Sequence, residues 1–276
     1  MASPTATMRV AMIHEVFHDD PDGASLRAHL ARARDDGADV AVLPELPLNS
    51  WAPHSRVPRD GDAEPLDGPR QRILASAAAD LGIALVGGVI LRDSDSGVRH
   101  NTALVYGRDG TLLARYRKIH LPEEDGYWET SHYEPGEEAP TVVDGLTLRT
   151  GLQICSDVNR PQGFQLLAAQ GAEVVLAPRA TPPGSWERWR MVLRANAVMS
   201  GAYLISVNRP RPEYGAPIGG PSITIAPSGT VLAETEEPVT VVEVNRADVD
   251  EAAAVYPGYL ERFPDVYARG WSRLAE

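Results

Sequence analysis

Residues 8–44 read MRVAMIHEVFHDDPDGASLRAHLARARDDGADVAVLP, and this stretch decides the fold class. MRVAMIH (8–14) is a short apolar run with the pattern of a buried strand. ASLRAHLARARDDG (24–37) has helical spacing and ends at Gly37, a natural helix terminator. ADVAVLP (38–44) is a second strand. The acidic run HDDPDG (18–23) reads as a solvated loop before the helix rather than as a calcium site.

The same alternation continues along the chain. Asp67 is placed to cap a helix through PRQRILASAAADLG (69–82), with Pro69 near its start and Gly82 just past its end. Strands are expected at 83–91, 100–106 and 111–116, with GRDGT (107–111) as a hairpin turn. QGFQLLAAQGA (162–172) and WERWRMVLRANAVMSG (186–201) are helical, each followed by a strand, EVVLAP (173–178) and AYLISVN (202–208). PSITIAPSGTVLAE (221–234) and VTVVEVN (239–245) read as strand pairs joined by tight turns. The pattern is mixed α/β, with helices outside and buried strands within. No linker-like shift, repeat or low-complexity segment divides it. One domain is therefore expected over 8–276, preceded by a loose tail at 1–7.

The chain has 276 residues, enough to bury a substantial core. A formal charge of -12 argues against nucleic-acid or anionic-membrane partners, which would repel it at long range. MASPTATMRV lacks the basic start and apolar stretch of a secretory signal. The longest apolar run, IALVGGVIL (83–91), is far short of the roughly 20 residues a bilayer span needs. A single cysteine permits no internal disulfide, so a cytoplasmic location is the default expectation.

Three reactive side chains sit at expected strand ends, where α/β folds gather their chemistry. Glu45 follows VAVLP, Lys118 follows TLLARYR, and Cys155 follows LTLRTGLQI. A carboxylate, an ammonium and a thiol make a workable nucleophilic set. A Cys–His pair using His120 or His132 is the natural rival. However, ICSDV lacks the glycines of a Gly-x-nucleophile-x-Gly elbow. His120 is then a pocket wall or a partner for Glu129. No His-x-His or Cys-x-x-Cys pair suggests a metal, and no Walker or dinucleotide glycine motif suggests a nucleotide.

PELPLNSW, YRKIHLPEEDGYWE and GLQICSDVNRP together resemble the glutamate, lysine and cysteine blocks of the nitrilase (carbon–nitrogen hydrolase) superfamily. GGPSITIAPSGTVLAE and RFPDVY extend the resemblance over nearly the whole chain. Within the superfamily, HLPEEDGYWE and WERWRMVLRANA are most similar to segments of the N-carbamoyl amidohydrolases, carbamoylputrescine amidase among them. The resemblance implies a four-layer αββα sandwich, no metal or organic cofactor, and a homodimer or larger homo-oligomer. It makes Glu45 the general base, Lys118 the electrostatic stabiliser, Cys155 the nucleophile and Glu129 the second glutamate that orients the site.

The implied reaction hydrolyses a non-peptide C–N bond of a small N-carbamoyl compound or primary carboxamide, releasing ammonia through a thioester. A nitrile substrate, or a non-catalytic binding protein on this scaffold, are the alternatives. Trp51, His120, Ser156, Asn159, Arg160, Arg179, Ala180 and Thr181 are expected to meet the substrate. Pro178–Arg179–Ala180 stands where relatives often have Pro-Thr-Ala. A guanidinium there would suit an acidic substrate, unless Arg160 and Arg179 pair with Asp157 or Glu173 instead.

Overall fold

The computed structural model describes residues 6–274. The first part of the chain lays down β1 (Thr7–Ile13), α1 (Ala24–Asp35), β2 (Val40–Val42), β3 (Ala63–Glu64), α2 (Pro69–Leu81), β4 (Ala84–Arg92), β5 (Arg99–Tyr106) and β6 (Leu112–Arg117). A short ribbon follows, β7 (Glu123–Glu124) with β8 (Tyr127–Trp128). Then come β9 (Thr150–Leu152), α3 (Pro161–Ala169), β10 (Val174–Leu176), α4 (Trp186–Ser200) and β11 (Tyr203–Ser206). The chain continues through β12 (Ser222–Ile225), β13 (Val231–Thr235), β14 (Val239–Asn245), α5 (Arg246–Ala254) and α6 (Pro264–Ser272).

One sheet has the order β14-β1-β2-β4-β5-β6, with β3 beside β4. The other has the order β13-β12-β11-β10-β9. In the first, β1, β2 and β4 run parallel, as does β3 beside β4, while β14, β5 and β6 pair antiparallel. In the second, β9, β10 and β11 run parallel from one edge, and β12 and β13 follow antiparallel. Alternation along each strand sends one set of side chains inward and the next outward. Val10, Met12, Val40, Val42 and Val86 of the first sheet share a buried cluster with Leu152, Val174, Leu176 and Ile205 of the second. On the first sheet's outer face, Ala11, Ala41 and Leu85 pack with Leu26 and Leu30 of α1 and Leu74 of α2. On the second sheet's outer face, Val175 and Leu204 pack with Phe164 and Leu167 of α3 and Leu193 of α4. This is the expected four-layer αββα sandwich.

Three local expectations change. Asp67 does not cap α2: Gly68 holds the N-cap position without a side-chain bond, and Asp67 itself has φ 59°. The buried carboxylate of Glu64 instead accepts from the backbone N–H of Arg70 at 3.0 Å and of Gln71 at 2.9 Å. Replacing Glu64 with alanine is expected to cost about 1–2 kcal/mol, the worth of a helix cap, in urea unfolding.

β14 does not pair with β13. It crosses to the first sheet and covers the free edge of β1, with Val10 opposite Val242. Thr7 pairs with Asn245 in that ladder, and the Ala6 carbonyl accepts from Arg246 N at 2.9 Å, so the expected tail does not include them. The rest of the tail, residues 1–5, lies outside the described residues. No helix among the described residues is long and apolar enough to cross a membrane.

Candidate active site

Glu45, Lys118, Glu129 and Cys155 are all buried, and the fold delivers each from a strand end or the turn beyond it. β2 makes its last ladder bond at Leu43 N and leads through Pro44 to Glu45. Pro44 and Pro47 carry no N–H, so apart from Asn49 N, which donates to Leu46 O at 3.1 Å, this loop needs outside donors for its carbonyls. Arg209, fully buried, supplies them: Nη1 donates to the carbonyls of Glu45 and Leu46, both at 2.8 Å, and Nη2 to Asn49 O at 3.0 Å. Glu213 neutralises Arg209 and also accepts from Trp51 N at 2.9 Å. The loop is thereby held in a conformation that includes Leu46 at φ 49°.

Lys118 ends β6. Its N–H donates to Asn101 O at 2.9 Å, and its carbonyl accepts from Gly136 N at 2.8 Å. A Cβ on Gly136 would stand 2.6 Å from the Arg117 carbonyl, so only glycine lets that chain approach so closely. The Lys118 ammonium donates to Glu45 Oε1 at 2.8 Å and to both oxygens of Glu129, at 2.6 and 2.7 Å. Asn101 Nδ2 makes a second bond to Glu45 Oε1, at 2.7 Å.

Past β9 the chain still follows β10: Gln153 N donates to Leu176 O and Cys155 N to Pro178 O. There it turns sharply, with Cys155 opening a 3₁₀ turn over Cys155–Asn159 at φ 45°. A left-handed conformation costs a non-glycine residue about 1–2 kcal/mol, so the surroundings must hold it. The thiol rests 3.8 Å from the Ala180 carbonyl.

Burial dominates the electrostatics. It pushes the Cys155 thiol well above the ordinary range; the Glu45 carboxylate adds to this and the Lys118 ammonium opposes it. Burial thus favours the neutral thiol over the thiolate, with the Lys118 ammonium pulling the other way. Burial alone would lower Lys118, but Glu129 and Glu45 outweigh it and hold the amine charged. Glu129 is pushed up to about 8 by burial, against the pull of Lys118. Burial disfavours the charged form of Glu129, and the Lys118 ammonium offsets this only in part.

Three buried polar atoms near this cluster have no hydrogen-bond partner in the protein: Glu45 Oε2 and the hydroxyls of Tyr127 and Tyr133. Both tyrosines belong to the apolar group formed by Leu46, Trp51, Ala180, Ala216 and Ile218. Buried polar groups are nearly always paired, so unpaired ones mark a place suited to a polar guest. Among the described residues, no group of three or more His, Cys, Asp or Glu side chains is placed to hold a metal ion.

The residues expected to meet substrate divide. Trp51 and Ala180 line the apolar wall, with Trp51 Nε1 anchored to Gly126 O at 2.8 Å. Ser156 is half-buried, and its hydroxyl donates to the His120 carbonyl. His120 does not reach Glu129; its Nδ1 is bonded to Asp157 at 2.8 Å. Thr181 is buried and donates its N–H to Asn208. Asn159, the last residue of the turn, and Arg160, just after it, lie exposed.

Arg179 is fully buried, but it does not pair with Asp157 or Glu173. Its guanidinium donates to Ser206 Oγ, Thr181 Oγ1 and Pro221 O, and it sits 5.0 Å from the Trp186 ring. Strand alternation turns it toward the α4 side, the opposite way from Ala180. Glu173 is taken by Arg246. Sequence reading missed Asn101, Tyr127, Tyr133 and Arg209. Their one signal is polarity at strand ends, which many solvated residues share.

A carbon-nitrogen hydrolase family model matches residues 11–254. Omega-amidase NIT2 of Homo sapiens is 31% identical over 251 residues, 87% of this chain and 88% of its own. The crystal structure of an amidase from Nesterenkonia sp. superposes with a TM-score of 0.77 at 29% identity, covering 98% of this chain and 97% of the other. A glutamate-to-glutamine variant of that amidase carries the acetamide moiety of fluoroacetamide covalently on its active-site cysteine, and a cysteine-to-alanine variant is in complex with butyramide. A carbon-nitrogen hydrolase from Helicobacter pylori G27 shares the fold, with a TM-score of 0.83 at 20% identity over 95% of this chain and 97% of the other. These relatives point to amidases in general rather than to carbamoylputrescine amidase in particular. With a matching model over most of its length and the sandwich that goes with it, the chain belongs to the carbon-nitrogen hydrolase family.

Proposed function

We propose that this protein is a cysteine amidohydrolase that cleaves a small primary carboxamide, or an N-carbamoyl compound of similar size, and releases ammonia. The observation that carries the reading is the buried Glu45–Lys118–Glu129 cluster together with the buried Cys155 thiol.

In the proposed cycle the sulfur attacks the amide carbon while Glu45 takes the thiol proton. The oxyanion draws hydrogen bonds from Lys118 and from the Ser156 N–H, each worth roughly 3 kcal/mol of barrier. Lys118 holds Glu129 through both carboxylate oxygens and has one of those bonds to yield. The C–N bond breaks as Glu45 returns its proton to the departing nitrogen, leaving a thioester and ammonia. Water then attacks the thioester with Glu45 again as base, and the acid leaves with the thiol restored.

The amidase relatives favour a carboxamide over a carbamoyl substrate. The short apolar wall of Trp51, Ala180 and Ile218 suits a small aliphatic acyl group. A cytoplasmic homo-oligomer completes the reading. Tyr256, Tyr259, Phe263, Tyr267 and Trp271 are all exposed near the C-terminus, an apolar surface that a second copy would cover.

The test is ammonia release from butyramide and other short carboxamides, ω-amides, N-carbamoyl amines, N-carbamoyl acids and nitriles. Turnover on carboxamides is expected, lost in step with stoichiometric alkylation of Cys155 by iodoacetamide. Turnover that survives full alkylation would overturn the thiol mechanism. Ammonia from nitriles alone would make the protein a nitrilase, and none from any class would favour a binding protein.

A further inference from the structure

We infer that Asp157 is a positioning residue that staples the strand end carrying Lys118 to the turn carrying Cys155. The inference rests on the proposed thiol chemistry. Asp157 is buried, with only 1% of its surface exposed, and no lysine or arginine pairs with it. Its charge is met by five donors instead. Oδ1 accepts from the backbone N–H groups of Ile119 and His120, at 3.2 and 2.9 Å, and from His120 Nδ1 at 2.8 Å. Oδ2 accepts from Tyr116 OH at 2.9 Å and from Ile154 N at 3.2 Å.

The position of those donors gives the carboxylate its role. Ile119 and His120 are the two residues after Lys118, and Ile154 immediately precedes Cys155. One rigid group therefore fixes the residues adjoining the ammonium and the thiol, which belong to different sheets. It also grips the turn in which Cys155 holds its left-handed conformation. Ser156 adds a second tie across the same gap, through its hydroxyl to the His120 carbonyl. A carboxylate suits this task because it only accepts, and all five groups around it donate. Asparagine has the same shape but must turn an N–H₂ toward two or three of those donors.

The measurement compares Asp157→Asn with the parent and with Tyr116→Phe, which removes one bond to Oδ2 and the Gln153 bond to the same hydroxyl but keeps the backbone bonds of Ile119, His120 and Ile154 to the carboxylate. Asp157→Asn is expected to lower kcat about 100-fold with little change in KM, the scale on which small misplacements act. Tyr116→Phe should stay within about threefold of the parent in kcat, since the residues adjoining Lys118 and Cys155 keep their backbone bonds to the carboxylate.

The rate of Cys155 alkylation by iodoacetamide across pH separates positioning from stability. Removing a negative charge by itself would ease thiolate formation and speed alkylation near neutrality. Displacing Lys118 from the thiol slows it, and slower alkylation per folded molecule is the expected result. Faster alkylation, or a kcat loss that only tracks the folded fraction seen by circular dichroism, would overturn the inference. If Asp157→Asn does not fold, Asp157→Glu keeps the charge and both acceptors but moves them by one methylene, and the same slowing is expected of it. Failure of the parent to hydrolyse any amide would overturn the proposed function, while the alkylation rates would still decide the role of Asp157.

Discussion

Glu45→Gln is expected to lower turnover roughly 10⁴-fold while leaving the fold in place, because one general base serves both half-reactions. The amide oxygen of glutamine can keep the bonds that Glu45 Oε1 receives from Lys118 and Asn101. What disappears is the proton acceptor. Burial is the largest influence raising the Cys155 thiol, and it persists in the variant; only the smaller push from the Glu45 charge is lost. The thiolate fraction then climbs about tenfold per pH unit as long as the pH stays below the raised thiol value. Alkylation of the variant should rise steadily across that range, whereas the parent, which keeps its proton acceptor, should depend on pH less steeply. His120→Ala should retain turnover within about tenfold, because its bond is to Asp157 and not to the thiol. Loss on His120→Ala with retention on Glu45→Gln would restore the Cys–His pair as the better mechanism.

Lys118→Met should damage both activity and stability. Removing one strong oxyanion donor costs about 10²–10³ in kcat. Removing the ammonium also leaves two buried carboxylates facing each other, and breaking a buried pair costs about 3–5 kcal/mol. The pH dependence has a definite sign. Glu129 is already raised in the folded protein by burial, and without Lys118 it loses the influence that lowers it. A carboxyl raised on folding binds more protons in the native than in the unfolded state, so stability falls as pH rises. The window runs from the unfolded value, about 4.5, upward through the raised folded one. Urea midpoints for Lys118→Met should therefore improve between pH 8 and pH 5, relative to the parent. A variant as stable as the parent at pH 8 would show that the two carboxylates are not both buried against the amine.

The α/β class was legible from residues 8–44 because strand and helix periodicities are local. Glu45 and Cys155 were legible for a related reason: each directly follows an apolar run, and a reactive side chain at a strand end stands out against it. Lys118, by contrast, sits in the basic cluster RYRK and was singled out by the resemblance of the block around it. Glu129 could be named only through the resemblance, since Glu123 and Glu124 lie in the same segment and local pattern does not rank them. The structure separates them by burial, enclosing Glu129 while leaving Glu123 and Glu124 exposed.

What stayed out of reach depends on which distant segments meet. VTVVEVN reads as a strand from its own residues, yet whether it pairs with β13 or crosses to β1 depends on which sheet has an open edge. Arg179 reads as a pocket cation, yet strand alternation and the Ser206 and Pro221 acceptors turn it toward the α4 side. Arg209 reaches Glu45 across 164 residues of chain, and Asp157 reaches His120 across 37. Sequence by itself determined the strands and helices, because propensity and hydrophobic period act over a few residues, and its resemblance to a known family supplied the layers and the set of reactive side chains. Tertiary structure alone decided which groups hold those side chains in register and which polar atoms remain unpaired, because both follow from burial and contacts between segments far apart in the chain.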